Sequence, residues 1–222
     1  MITLVEAHPN DVHGAYIDLS AIRHNAAVLR LRAGSRTLVA DVAADGYGHG
    51  AVAVARAAIE GGASAMQPGE YHGAEVVTAG AELYGLAEDR KLRPAMRVTA
   101  LVIAIKTIEA GEGVSYGYTW RAARRTNLAL VGIGYADGLD RIASNIGSLF
   151  LAGTVRPIAG RVAMNALVLD LGDDRVSLGE EAVVFGDERR GEPSASSWAS
   201  VLGKTAVEVA VVFGAHLPRT IR

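Results

Sequence analysis

Asp45-Gly-Tyr-Gly-His-Gly50 is the segment of this chain richest in groups that can do chemistry. Glycines let a backbone approach a ligand closely, and a helix starting directly after such a turn offers unpaired N–H groups to an anion. Tyr47 would add a hydroxyl to a bound phosphate and His49 a second donor; a tight turn around a satisfied histidine explains the same residues. Glu112-Gly-Val-Ser-Tyr-Gly117 and Gly134-Tyr-Ala-Asp-Gly138 each set a tyrosine beside glycine. Tyr116 or Tyr135 would serve as a general base only where positive charge or desolvation tunes the phenol. Otherwise each is a packing tyrosine with a hydrogen-bonded hydroxyl. Gly160-Arg-Val-Ala-Met-Asn165 adds an arginine at a strand edge and Met164, which on its own reads as a gap-filling side chain.

Alternating β and α patterns must position the first of these segments. Ala15–Leu19 is expected to be a short strand, Ser20 the cap of a helix carrying Ile22, Ala26 and Leu29 on one face, and Gly34 its end. Thr37–Ala40 with Val42 forms the next strand, and Ala51–Ile59 the helix after the glycine turn. From Ser64 to Gly80 no strand is expected, because Gly69, Gly73 and Gly80 interrupt a weakly helical stretch. From Leu92 the character becomes β. Met96–Ile108, Asn127–Ile133, Val155–Val162, Ala166–Leu171 and Glu181–Phe185 are rich in branched residues separated by Gly and Asp, and Ser194–Leu202 reads as a late helix ended by Gly203.

The chain has 222 residues, a net charge of −2 and no cysteine. That balance gives no electrostatic case for nucleic acid or an acidic membrane surface, and it excludes disulfide scaffolds and thiolate metal sites. Met1–Glu6 lacks the basic and apolar regions of a signal peptide, and no run approaches the roughly 20 apolar residues of a membrane span. A cytoplasmic protein without nucleic-acid or membrane partners and without a metal is the expectation. Only three of its 22 basic residues are lysines: Lys91, Lys106 and Lys204.

The order of the motifs goes further than any one of them. Tyr16-Ile-Asp-Leu-Ser-Ala-Ile-Arg-His-Asn25, the Tyr-Gly-His-Gly turn, Leu83-Tyr-Gly-Leu86, Leu92-Arg-Pro-Ala-Met96, Ala110-Gly-Glu-Gly-Val-Ser-Tyr-Gly117, Ile133-Gly-Tyr-Ala-Asp-Gly138, Gly160-Arg161 with Met164, and Asp170-Leu-Gly172 follow one another as in alanine racemases. The chain resembles that family along nearly its whole length. The resemblance implies a pyridoxal-phosphate-binding β/α barrel joined to a C-terminal β-domain, a homodimer, and interconversion of L- and D-alanine by proton abstraction at Cα. It implies that Tyr116 is the β-domain base, catalytic from the partner subunit's side. Tyr47, with His49, would bind the cofactor; Tyr135 would line the substrate entryway, and Met164 would meet the substrate carboxylate.

Against the family motif Val-Val-Lys-Ala-Asp-Ala/Gly-Tyr-Gly-His-Gly, this chain reads Asp41-Val-Ala-Ala-Asp-Gly-Tyr-Gly-His-Gly50, with Ala43 in the register of the cofactor lysine. Ala163 and Asn165 stand where the family has Cys and Asp, and Val207 where it has a phosphate-binding tyrosine. A whole (β/α)₈ barrel takes about 250 residues, so the expected architecture is an α/β fragment of such a barrel over residues 1–82 and an all-β domain over 83–222. Without the lysine, covalent cofactor binding is not expected. A catalytically inactive racemase-like protein follows, with a dimerisation or small-anion-binding module as the alternative.

Overall fold

The structure, a computed structural model, describes residues 12–69 and 75–222. The leader question at Met1–Glu6, and the part of the weakly helical stretch at 70–74, lie outside those residues.

The first strand, β1 (His13–Ile17), buries Ala15 and Ile17 and runs into α1 (Leu19–Ala33). Asp18, not Ser20, caps that helix: its carboxylate accepts from Ser20 N and Ala21 N, at 2.8 and 3.2 Å. A carboxylate also answers the positive end of the helix dipole, which a hydroxyl two residues later, inside the first turn, cannot do. Ile22, Ala26 and Leu29 face the core as their spacing requires, and Gly34 ends the helix.

Next come β2 (Thr37–Asp41) and, after the glycine turn, α2 (Ala51–Glu60). Contrary to the sequence expectation, two strands follow: β3 (Ala65–Gln67) and β4 (Val76–Ala79). Each is too short to show an alternating pattern, which is why composition hides them. Both run parallel to β2 on opposite sides, giving the order β3-β2-β4. This small parallel sheet, with α1 and α2 packed together beside it, is where the resemblance placed a fragment of a β/α barrel.

The rest is β-rich. The strands are β5 (Met96–Ile108), β6 (Gly113–Val114), β7 (Trp120–Arg121), β8 (Thr126–Val131), β9 (Ser148–Leu151), β10 (Thr154–Pro157), β11 (Leu167–Gly172), β12 (Glu181–Phe185) and β13 (Arg219–Ile221). β5 organises them. Its first half lies between β1 and β12, and its second half, past an irregularity at Val102–Ala104, pairs with β8. The expected strand Val155–Val162 ends at Pro157, because proline has no N–H for the ladder; only Ile158 continues as a single bridge to Leu169. The first described strand, β1, therefore belongs to the sheet of the β-rich part, held on one side by β5 and on the other, in parallel, by β13.

Two helices precede β13. α3 (Ala195–Leu202) is ended by left-handed Gly203, as expected; Ser194, read from the sequence as its first residue, is its cap. α4 (Ala206–His216) was not anticipated, since Ala206-Val-Glu-Val-Ala-Val-Val-Phe-Gly-Ala215 is apolar nearly all round and shows no stripe. Its start carries a capping box between Thr205 and Glu208. The two meet at 101°, and among the described residues no single helix is long and apolar enough to cross a membrane.

Candidate functional site

The turn after β2 is wound left-handed. Ala44, Asp45 and Gly46 have φ of 49°, 55° and 62°, and Tyr47 follows at 51°. Three of these are not glycine, so the conformation costs of the order of 1–2 kcal/mol at each. Local bonds compensate: Gly46 N donates to Val42 O, Gly50 N to Asp45 O, and Ala51 N to Asp45 Oδ1, the last serving the open end of α2. The Arg219 guanidinium pairs with Asp45 and donates to Gly48 O. Asp45 is held below the usual carboxylate range, chiefly by the Ala51 N–H and then by Arg219.

The turn is pressed against α4. A side chain on Gly214 would stand within 2.6 Å of Gly48 Cα, so the helix reaches the turn only because both positions are glycine.

The side chains of the turn form a cluster with Tyr84, from the short 3₁₀ turn Ala81–Tyr84. The Tyr47 and Tyr84 rings stack at 4.8 Å, and the His49 ring lies 4.7 Å from Tyr84. Tyr47 Oη donates to Asp41 Oδ2 at 2.9 Å, and Tyr84 Oη to the Asp41 carbonyl at 2.6 Å. Burial, then the Asp41 carboxylate and the charge of Glu82, push Tyr47 up to about 12. Burial followed by the same carboxylate raises Tyr84 still more.

His49 is fully buried. Its Nδ1 faces two carbonyls, Tyr47 O at 2.9 Å and Gly46 O at 3.1 Å, so that nitrogen carries the proton; Nε2 is buried without a partner among the described residues. Burial pulls its pKa down to about 4. The satisfied-histidine reading of the motif is thus half right: one nitrogen is bonded within the turn and the other is orphaned. Ala43, at the start of the turn, is exposed.

The β-domain assembles the second group. Ser115 Oγ donates to Arg161 O at 2.7 Å, tying the Tyr116 segment to the Arg161 segment. Tyr135 N and Ala136 N donate to Ala163 O and Met164 O at 3.0 and 2.9 Å. That contact needs Gly134, because any side chain there would enter both carbonyls. Tyr116, Tyr135 and Met164 are so brought onto one face, where they are 82%, 39% and 54% exposed. Arginines accompany the rings: Arg161 lies 5.9 Å from the centre of Tyr116 and Arg141 5.5 Å from that of Tyr135.

The turn cluster and this face share no hydrogen bond, ion pair or ring contact among the described residues. α4 stands between them, with Gly48 against Ala210 and Gly214, and Gly138 against Val212. Asp41, Tyr84 and Arg219, which complete the turn cluster, were not singled out as site residues from the sequence. A carboxylate at the C-terminal end of a strand that leads into a glycine turn is the one signal that could have found Asp41.

Residues 95–221 match the family described as alanine racemase, C-terminal domain, and residues 17–114 match alanine racemase, N-terminal domain. The chain belongs to the alanine racemase family. Relatives include the alanine racemase of Salinispora arenicola, 45% identical over 151 residues, which is 66% of this chain and 41% of that protein. The Thermobifida fusca enzyme is 42% identical over 150 residues, 65% of this chain and 40% of its own. The chain therefore matches only about two fifths of the length of these relatives.

Among solved structures, alanine racemase from Streptomyces coelicolor A3(2) superposes with a TM-score of 0.88 at 25% identity, covering 96% of this chain and 98% of that one. The enzyme from the D-cycloserine producer Streptomyces lavendulae gives 0.86 at 26%, covering 95% and 97%. The fold is also that of the Bartonella henselae enzyme solved with covalently bound pyridoxal phosphate (TM-score 0.84, 17% identity, 95% and 99% covered). The α/β fragment with an all-β domain expected from the sequence is thus the racemase architecture with a partial barrel.

Proposed function

We propose that this family member does not racemise alanine, and that its β-domain serves as a folding and homodimerisation module attached to a barrel remnant within residues 1–82. The observation that carries the reading is the turn itself: Ala43 stands in the register of the cofactor lysine, and the Tyr47 hydroxyl is given to the Asp41 carboxylate.

Pyridoxal phosphate needs an amine for its aldehyde and donors for a phosphate carrying close to two negative charges. A methyl group supplies no amine. The would-be phosphate donor is committed to an anion, and Asp41 and Glu82 make the field around it negative enough to hinder ionisation of Tyr47 itself. His49 Nε2, buried and unprotonated, is an acceptor and has nothing to give a phosphate. The residues present do not fit the cofactor, so no catalytic step through Tyr116 is assigned. The same negative field disfavours a small-anion site at this turn.

For dimerisation, support comes from the exposed Tyr116, Tyr135 and Met164 face, an aromatic and arginine-rich surface of the composition found at protein interfaces. The deciding experiment mixes the purified chain with equimolar pyridoxal phosphate, follows cofactor absorbance, and traps with borohydride. No adduct and no racemisation are expected; a stoichiometric adduct on Lys91, Lys106 or Lys204 overturns the reading. Sedimentation velocity is expected to show a dimer, and monomer alone refutes the dimerisation role.

A further inference from the structure

Away from both clusters, a groove of about 480 Å³ opens where the segment before β5, the loop after β12 and the end of the chain meet β1. That volume is in the range of small-molecule sites, about 300–1,000 Å³. Half-buried Pro94 gives it apolar surface, while Ile17 and Met96 border it almost fully buried. Five arginines line it too: Arg93, Arg97, Arg189, Arg190 and Arg222.

The lining acids are already engaged by the fold. Asp18 caps α1 through Ser20 N and Ala21 N. Asp187 takes three bonds from the Arg189 guanidinium, at 2.7 to 3.1 Å. Arg97, in turn, is consumed by Glu192 at 2.8 Å and Glu181 at 2.6 Å. Three exposed guanidiniums remain, those of Arg93, Arg190 and Arg222, and none has a carboxylate within salt-bridge distance among the described residues. They come from three separate segments. Arg222 is steadied by the Tyr16 ring, its guanidinium carbon 4.2 Å from the ring centre.

In a chain of net charge −2, three guanidiniums without a salt-bridge partner around one groove are a local exception. Planar forks supplied by three separate segments suit a tetrahedral oxyanion better than a single carboxylate plane. We propose that this groove binds a small phosphomonoester, the phosphate between Arg93, Arg190 and Arg222 and its ester group against Pro94.

The probes are phenyl phosphate, inorganic phosphate and benzoate, titrated into the full chain by calorimetry at low and moderate salt. Phenyl phosphate is expected to bind most tightly and to weaken as salt rises. Arg93→Gln and Arg190→Gln, both on exposed side chains, are each expected to weaken it by about tenfold or more, with the unfolding midpoint unchanged. Arg121→Gln, on the face near Tyr118, is expected to leave binding unaltered. Absence of binding by the parent chain, equal binding of benzoate, or unchanged affinity in a folded Arg93→Gln, Arg190→Gln double variant overturns the assignment.

Discussion

Tyr47 and Asp41 face each other across 2.9 Å, hydroxyl to carboxylate, at the end of the strand that leads into the left-handed turn. The bond holds the tyrosine neutral and occupies its only proton. Replacing Asp41 by Asn removes the charge and keeps an acceptor. Tyr47 is then expected to ionise below its present value of about 12, moving toward 10, which an ultraviolet phenolate titration reads. In the parent chain the native state keeps this proton while the unfolded chain loses it. Stability is therefore expected to fall as pH rises from about 10 to about 12.

His49 works at the other end of the scale. Its folded pKa of about 4 lies below the ordinary 6.5, so on acidification the unfolded chain takes up a proton that the native state refuses. Stability is expected to drop between pH 6.5 and 4 by roughly 3 kcal/mol from this group. Urea midpoints at pH 7 and pH 5 for the parent and for His49→Gln check it, with the variant showing the smaller difference. Equal slopes for the two proteins would contradict the assignment.

Ala43→Lys tests whether the amine alone is missing. Position 43 is exposed, so the lysine is accommodated without repacking. The variant is expected to gain a borohydride-trapped adduct at residue 43 when pyridoxal phosphate is added, and still to leave L-alanine unracemised. Racemisation by this single variant would show that the rest of the barrel is dispensable.

Gly214→Ala places a methyl group against the backbone of Gly48. Either α4 or the turn must give, and a loss of about 1–3 kcal/mol is expected, with Tyr47 fluorescence reporting the disturbed cluster. An unchanged denaturation midpoint would mean that the helix and turn are not rigidly joined.

Much of this molecule could be read before its fold was known, for identifiable reasons. β5 and β12 carry long runs of branched residues bounded by polar turns, and their limits fall where composition puts them. α3 announced itself by the shared face of Trp198, Val201 and Leu202 and by Gly203. What stayed hidden is what tertiary context decides. β3 and β4 are strands because β2 lies between them, not because three or four residues prefer it. α4 is buried on several faces, so its apolar residues carry no period, although its capping box was visible. For the candidate site, the residue types at 47, 49, 116, 135 and 164 were legible, and so was the alanine at 43. The partners were not: no spacing rule says that Tyr84 would lie on Tyr47, or that Asp41 would turn back onto it.

The position of β1 bears on how the protein is made. Ala15 is hydrogen-bonded territory for Val98 on one side and for Arg219 on the other. The two partners lie far apart in sequence, so on a ribosome β1 can be held on the β5 side alone until residues 219–221 have been made. That margin of the sheet is closed by pairing across most of the described chain, long after the other margin has its partner.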